Sequence, residues 1–238
     1  MQVLIVYAHP EPSSFCAALR DRAVKTIRAA GHAATVSDLY AESFNPVAGR
    51  HDFTTVADPG RFHYQSEQLH AARRNGFSDE IRREQDRVRS ADVIVIIYPI
   101  WWAGPPAIFK GWLERVLAYG FAYEDGQRFE TGFFRGRRGL IGMTTGGTRE
   151  RFSSEGVYGD IDQVMWPTRR LALEYMGLTV EPPHVCYAVP RVTGAEREAY
   201  LSGWDDAVRR VLAKGAVPGI SPQEIGGAPS REGAWARA

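Results

Sequence analysis

Two short runs of this chain are apolar at nearly every position: VLIVY at 3–7 and VIVII at 93–97. A strand with one wet face alternates polar and apolar residues. A strand that does not alternate is buried on both faces, as in a parallel sheet. Further strands are expected at 34–38, 140–144 and 179–187. Amphipathic segments at 14–30, 107–118 and 196–214 separate or follow them, with another helix through Trp166 and 171–176 that stops at Gly177. This alternation predicts an α/β domain, with one parallel sheet covered by helices on both faces.

Right-handed crossovers leave few ways to wind such a sheet. A dinucleotide-binding sheet carries G-x-G-x-x-G after its first strand. Here that position reads AHPEPSSF, without glycine. The better expectation is a flavodoxin-like, doubly wound, five-stranded parallel sheet in the order 2-1-3-4-5. Residues 1–217 form this domain. The stretch 40–75 is an excursion, too long for an ordinary connection and rich in aromatics (Phe44, Phe53, Phe62, Tyr64). Residues 218–238 are rich in Gly, Pro and Ser and read as an extended or disordered tail.

Composition narrows the function. The chain has 238 residues and a formal charge of +1, which gives no reason to expect nucleic acid or an anionic membrane as partner. No apolar run approaches the roughly 20 residues that cross a bilayer, and nothing like a signal peptide precedes VLIVY. Two cysteines, Cys16 and Cys186, without a CxxC pair, argue against a disulfide scaffold or metal site and suit a cytoplasmic location.

Ligands of such sheets bind beyond the carboxyl ends of the strands. Three loops meet there. The first, AHPEPSSFCA, opens a helix at Ser13 and Ser14, where unpaired amides and the helix dipole favour an anion; His9 adds a donor. The second, PIWWAGPP, offers amides to the edge of a planar ring and indoles to its face. The third, TTGGTRERFSSEGVYGD, offers the hydroxyls of Thr144 and Thr145, and a backbone that a ligand can approach at Gly146 and Gly147. Each has a plainer reading as well. Ser13 or Ser14 could simply cap the helix, the tryptophans could be core or interface residues, and TTGG could be only a turn. A flat ring with a polar edge and an anionic tail fits all three, which points to a flavin.

The segments VLIVYAHPEPSSF (3–15), SDLYAESFNPVAGRHDF (37–53), PIWWAGPPAIFKGWLERV (99–116), FAY (121–123), TTGG (144–147), GVYGD (156–160) and the GW pair at 203–204 resemble the NAD(P)H:quinone oxidoreductase (DT-diaphorase) family. That family includes bacterial quinone reductases and ancillary proteins of potassium efflux. The resemblance implies a homodimer with FAD, rather than FMN, in each subunit and active sites at the interface. It implies ping-pong hydride transfer from NAD(P)H to flavin N5 and then to a quinone or similar small acceptor. Carried over by position, His9, Ser14, Phe15, Cys16 and Ala17 match residues at the flavin's phosphates and ribityl chain. Pro99, Ile100, Trp101, Trp102 and Ala103 match the loop at the ring. Thr144, Thr145, Gly146 and Gly147 match the donors at its pyrimidine end, with the two glycines among the catalytic groups. Val189 and Arg197 match positions on the adenine side. His63 matches a residue that reaches the flavin of the other subunit, and 40–75 becomes dimer interface. Trp102, Tyr123, Phe152 and Tyr158 match the substrate pocket, and Phe152 also borders the flavin.

The chain departs from the family at informative places. Mammalian members carry a tyrosine and a histidine in the third of these loops, which help settle the charge on reduced flavin. Here those positions are Phe152, which cannot donate a hydrogen bond, and Tyr158, which can. Tyr158 is therefore a candidate catalytic residue. Cys16 stands where the family has asparagine. An alternative remains open: a flavin-binding regulatory subunit of a potassium-efflux system.

Overall fold

The computed structural model describes residues 1–215. The expected tail at 218–238 lies outside the described residues. β1 (Gln2–Tyr7), β2 (Ala33–Asp38), β3 (Val93–Pro99), β4 (Arg138–Thr144) and β5 (Thr179–Val180) form one parallel sheet in the order β2-β1-β3-β4-β5. The winding is that expected from the sequence. One strand differs: the run foreseen at 179–187 is two pieces, β5 and β6 (His184–Cys186), both paired with β4. Pro182 and Pro183 lie between them. Proline has no amide hydrogen to give to a ladder, so the strand breaks there.

Alternation along each strand builds two cores. Val3, Ile5, Val93, Val95, Ile97 and Leu140 face α1 (Phe15–Ala29) and α6 (Gly194–Ala213), where Leu19, Ile27, Trp204 and Val208 meet them. Leu4, Val6, Ile94, Ile96 and Ile141 face the other way. They pack on Ala71 of α2 (Tyr64–Arg74), Ile81 and Val88 of α3 (Asp79–Ser90), Phe109 and Trp112 of α4 (Ala107–Val116) and Met165 of α5 (Ile161–Thr168). Each buried aliphatic side chain contributes about 1.5–3 kcal/mol. Local signals set the helix ends. Thr193 and Glu196 close a capping box, so α6 starts two residues before the expected 196. Pro167 lies inside α5, and the chain runs on through a π-helical turn at Arg169–Leu173.

The excursion at 40–75 is more regular than its sequence suggested, because its last third is α2. α3 follows it closely and carries only two aliphatic residues on its buried side, Ile81 and Val88; Glu84 and Gln85 share that side. Both polar groups are satisfied. Trp112 Nε1 donates to Glu84 at 2.9 Å, and Gln85 Nε2 donates to the Val116 carbonyl at 3.2 Å.

One residue of α4 holds the excursion in place. Arg115 is 1% exposed. Its Nε and Nη2 donate to Asp52 at 2.8 and 2.6 Å, and its Nη1 donates to Glu80 at 2.6 Å and to the Asn45 carbonyl. Tyr64 OH donates to the other oxygen of Asp52 at 2.6 Å. One helical turn before Arg115 is Gly111. A Cβ there would stand 2.1 Å from the Pro46 carbonyl oxygen, so only glycine lets that backbone cross α4.

Because Asp52 is equally buried, Asp52→Ala should cost about 3–5 kcal/mol by taking the carboxylate from the buried Nε and Nη2 of Arg115, which Glu80 on Nη1 does not reach. Removing Asp206, in its exposed pair with Arg209, should cost under about 1 kcal/mol. Urea unfolding midpoints check both. A second expectation concerns pH. His184 lies between Tyr200 and Trp204 with ring centroids at 6.4 and 5.6 Å, and its Nε2 is buried without a hydrogen-bond partner. Burial holds its pKa below the usual 6.5, and Arg210 adds to this. The unfolded chain then binds more protons than the folded one just below about pH 6.5, so stability falls as pH drops through that window. His184→Gln should shrink the difference between urea midpoints measured at about pH 7.5 and 6.0.

Candidate active site

The ladders align the ends of three strands. Tyr7 pairs with Ile97, and Pro99 with Thr144. Ala8 N–H donates to Ile97 at 3.0 Å and Ile100 N–H to Thr144 at 2.8 Å, so the order continues into the loops. The three predicted loops leave the sheet side by side.

In the first loop Ser14 is the N-cap of α1: its Oγ accepts from Ala17 N–H at 3.1 Å and lies 3.4 Å from Tyr7 OH. The amides of Phe15 and Cys16 head the helix, where no intrahelical acceptor exists. Ser13 offers a ligand nothing, because its N–H and O–H both donate to Glu11 at 2.8 and 2.6 Å. His9 Nδ1 accepts from Glu11 N–H at 3.0 Å, which puts the proton of the neutral ring on Nε2 as a donor. Burial lowers the His9 pKa, which favours that neutral form. Cys16 and Ala17 are 1% exposed. Cys16 Sγ lies 3.2 Å from Thr144 Oγ1 in the core, and burial pushes its thiol up to about 12. Only the backbone of Cys16 can serve a ligand.

The second loop is a two-residue hairpin turn. Trp101 N–H donates to the Gly104 carbonyl at 2.9 Å, and Gly104 N–H to the Trp101 carbonyl at 3.1 Å. The two residues between, Trp102 and Ala103, have φ of 49° and 57°. Such turns usually take Asn-Gly; an L-residue held there costs roughly 1–2 kcal/mol. Trp102 is fully exposed, while Trp101 is 42% exposed with its ring 5.7 Å from His9. Neither tryptophan is a core residue.

In the third loop, Thr145 N–H donates to the Cys186 carbonyl at 3.0 Å. Thr145 Oγ1 accepts from Gly147 N–H at 3.0 Å, so the Gly147 amide, expected as a donor, is already committed. Gly146 is open, since an added Cβ would meet nothing within 4 Å; its carbonyl accepts from Arg191. At Gly147 a Cβ would lie 2.6 Å from Phe152 and 3.2 Å from Tyr158, whose rings are 5.1 Å apart. Phe152 is buried and Tyr158 half-exposed. Ala188 and Val189 close the far side, donating to the Gly147 and Thr145 carbonyls at 2.8 and 3.1 Å. Arg197 donates to the Val189 carbonyl at 2.9 Å, and its guanidinium lies 5.9 Å from the Phe15 ring centre.

His63 and Tyr123 do not join this group. They line a cleft of about 1010 Å³ between α2, α4 and the α5 region, which Pro105 at the end of the second loop also borders. His63 caps α2 by accepting from Ser66 N–H at 3.3 Å. Tyr123 OH accepts from Gln65 at 3.4 Å, and its ring meets Tyr175 edge-on at 5.3 Å. Three features escaped the sequence reading: the Gly104 closure, Tyr175, and a hydrogen bond of 3.1 Å from Arg151 Nη1 to Tyr158 OH. The last joins residues seven apart in an irregular loop, which no periodicity announces. Among the described residues no cluster of potential metal ligands occurs, and no helix is long and apolar enough to cross a membrane.

The chain matches the profile of the flavodoxin-like fold over residues 1–208. It is 35% identical over 218 residues to the ribosyldihydronicotinamide dehydrogenase (quinone) of Pongo abelii, covering 91% of this chain and 94% of that one. It is 34% identical over 211 residues to NAD(P)H dehydrogenase (quinone) 1 of Cavia porcellus, covering 88% and 77%. Among solved structures, a Klebsiella pneumoniae protein assigned as a quinone reductase superposes with a TM-score of 0.85 at 32% identity, over 89% of this chain and 85% of that one. With its strand order, its loop placement and these relatives in agreement, the chain belongs to the NAD(P)H:quinone oxidoreductase family of flavodoxin-like proteins.

Proposed function

We propose that this protein is an FAD-dependent NAD(P)H:quinone oxidoreductase. The observation that carries the reading is the convergence, at the ends of β1, β3 and β4, of a helix N-terminus, a projecting aromatic turn and a threonine-glycine turn. The residues fit a flavin. The open space at Gly146 and Gly104, where an added Cβ meets nothing within 4 Å, suits a flat ring lying along both turns. The Phe15 and Cys16 amides and His9 Nε2 suit a phosphate. Arg197, Val189 and Phe15, brought together beyond that point, favour FAD over FMN, because a second nucleotide half would lie there. When bound, the flavin supplies two-electron exchange between NAD(P)H and a quinone by turns in one site.

The chain's own groups then have definite tasks. Trp101 and Trp102 wall the ring and exclude water. Thr144, Thr145 and the Gly146 turn orient the polar edge. Phe152 packs beneath the Gly147 backbone and holds it still. Tyr158 keeps a hydroxyl proton at that end. His63 and Tyr123 face the cleft between α2, α4 and the α5 region, which exposed Leu171 also lines, with exposed Phe62 and Trp166 elsewhere on the surface. This supports a homodimer in which each copy completes the site of the other.

The full chain reconstituted with FAD should lose flavin absorbance on anaerobic addition of NADPH or NADH and regain it on adding a quinone. Bound flavin that neither nucleotide bleaches would overturn the reading. Trp102→Ala should lower turnover by about tenfold, the scale of one lost aromatic contact of roughly 1.4 kcal/mol. The melting temperature should stay unchanged, because the indole packs on nothing within its own chain.

A further inference from the structure

Arg151 and Tyr158 are joined twice. Tyr158 N–H donates to the Arg151 carbonyl at 2.9 Å, and Arg151 Nη1 donates to Tyr158 OH at 3.1 Å. The guanidinium carbon also lies 5.8 Å from the Tyr158 ring centre. The two bonds fix the ring at both ends, the backbone by one and the hydroxyl by the other. On its other side the ring rests on Phe152 and touches the Gly147 position.

The direction of the second bond matters. Arginine only donates, so the phenol oxygen accepts. The phenol's own hydrogen is then left to point at something else, and the adjacent cation makes that O–H a stronger donor. Close to it, the Gly147 amide is held by Thr145 Oγ1 and the Phe152 side chain has no donor, so the phenol is the donor this part of the loop adds to those of the Thr145–Gly146 turn. An O–H donor backed by a cation suits a ring edge that gains electron density on reduction.

Resting on the flavoenzyme reading above, we propose that Arg151 is a positioning residue that aims the Tyr158 hydroxyl as a hydrogen-bond donor at the polar edge of the bound flavin, so that the site holds the reduced ring more tightly than the oxidised one. Arg151 is exposed in the chain alone. Its bond to the phenol strengthens when a ligand covers the pair and excludes water.

The test is the two-electron midpoint potential of the FAD-loaded full chain, with the dissociation constant of oxidised FAD measured alongside. Arg151→Met should lower the potential by about 30 mV, which is a tenfold loss of preference for the reduced ring, and leave oxidised FAD binding within about twofold. Tyr158→Phe, which keeps the ring packing, should shift it equally, and the double variant no further, because the two act as one unit. Arg151→Lys should recover part of the shift. Unchanged potentials in both single variants of a flavin-binding protein would overturn this inference and leave the enzyme reading intact. A shift in Arg151→Met without one in Tyr158→Phe would overturn it too, since the cation would then act directly. Failure of the unmodified protein to bind FAD would overturn the enzyme reading, and this inference with it.

Discussion

The buried guanidinium of Arg115 dictates more of this structure than any other single group. A charge taken out of water is tolerated only where partners replace the hydration it lost. Arg115 gathers Asp52, Glu80 and the Asn45 carbonyl, and lies over the Phe44 ring at 4.9 Å. Four of its surroundings come from or just beyond the excursion at 40–75. The excursion therefore cannot wander: its backbone must cross α4 at Gly111 and turn back within reach of one side chain. Tyr64, bonded to Asp52, begins α2 at that spot. The placement of α2, with His63 at its head, follows from an ion pair anchored on α4.

The tryptophan turn shows the opposite economy. Trp102 and Ala103 occupy backbone conformations that glycine or asparagine would adopt more readily. The turn persists because both flanks are rigid. β3 runs without a break into the Ile100–Thr144 hydrogen bond on one side, and Pro105 and Pro106 restrict the chain on the other. Local strain retained in an otherwise well-satisfied fold tends to sit where a side chain must be presented rather than packed. A fully exposed indole at the summit of such a turn is a presented side chain.

The sheet was legible because VLIVY and VIVII cannot be comfortable anywhere except between two layers, and the missing glycine fingerprint chose between windings. The Pro-Pro break in the fifth strand could have been read from Pro182 and Pro183, but a purely hydrophobic criterion runs straight across them. α3 was illegible for a physical reason. Its buried side spends two of four positions on Glu84 and Gln85, whose partners Trp112 and Val116 come from another helix. Periodicity counts apolar residues and cannot see a polar residue that tertiary contacts will satisfy. The loops were found by their composition and their place after strands. What composition could not supply was the state of each donor. Ser13 and the Gly147 amide look available in sequence, and both are bound within the chain.

That difference bears on how such a site can work. Three loops at the end of an open sheet make a wall and a floor, but they leave Trp102 and half of Tyr158 in water. Electrostatic contacts to a ring gain strength only when water is excluded. A cover is needed, and the chain holds two further candidates, His63 and Tyr123, in the cleft between α2, α4 and the α5 region, where α2 is pinned through Tyr64 and Asp52 to Arg115. The same ion pair that fixes the excursion thus fixes His63 at the head of α2. In the proposed homodimer His63 and Tyr123 would cover the loops of the other copy, and the buried Arg115 pair is what would hold His63 in place to do so.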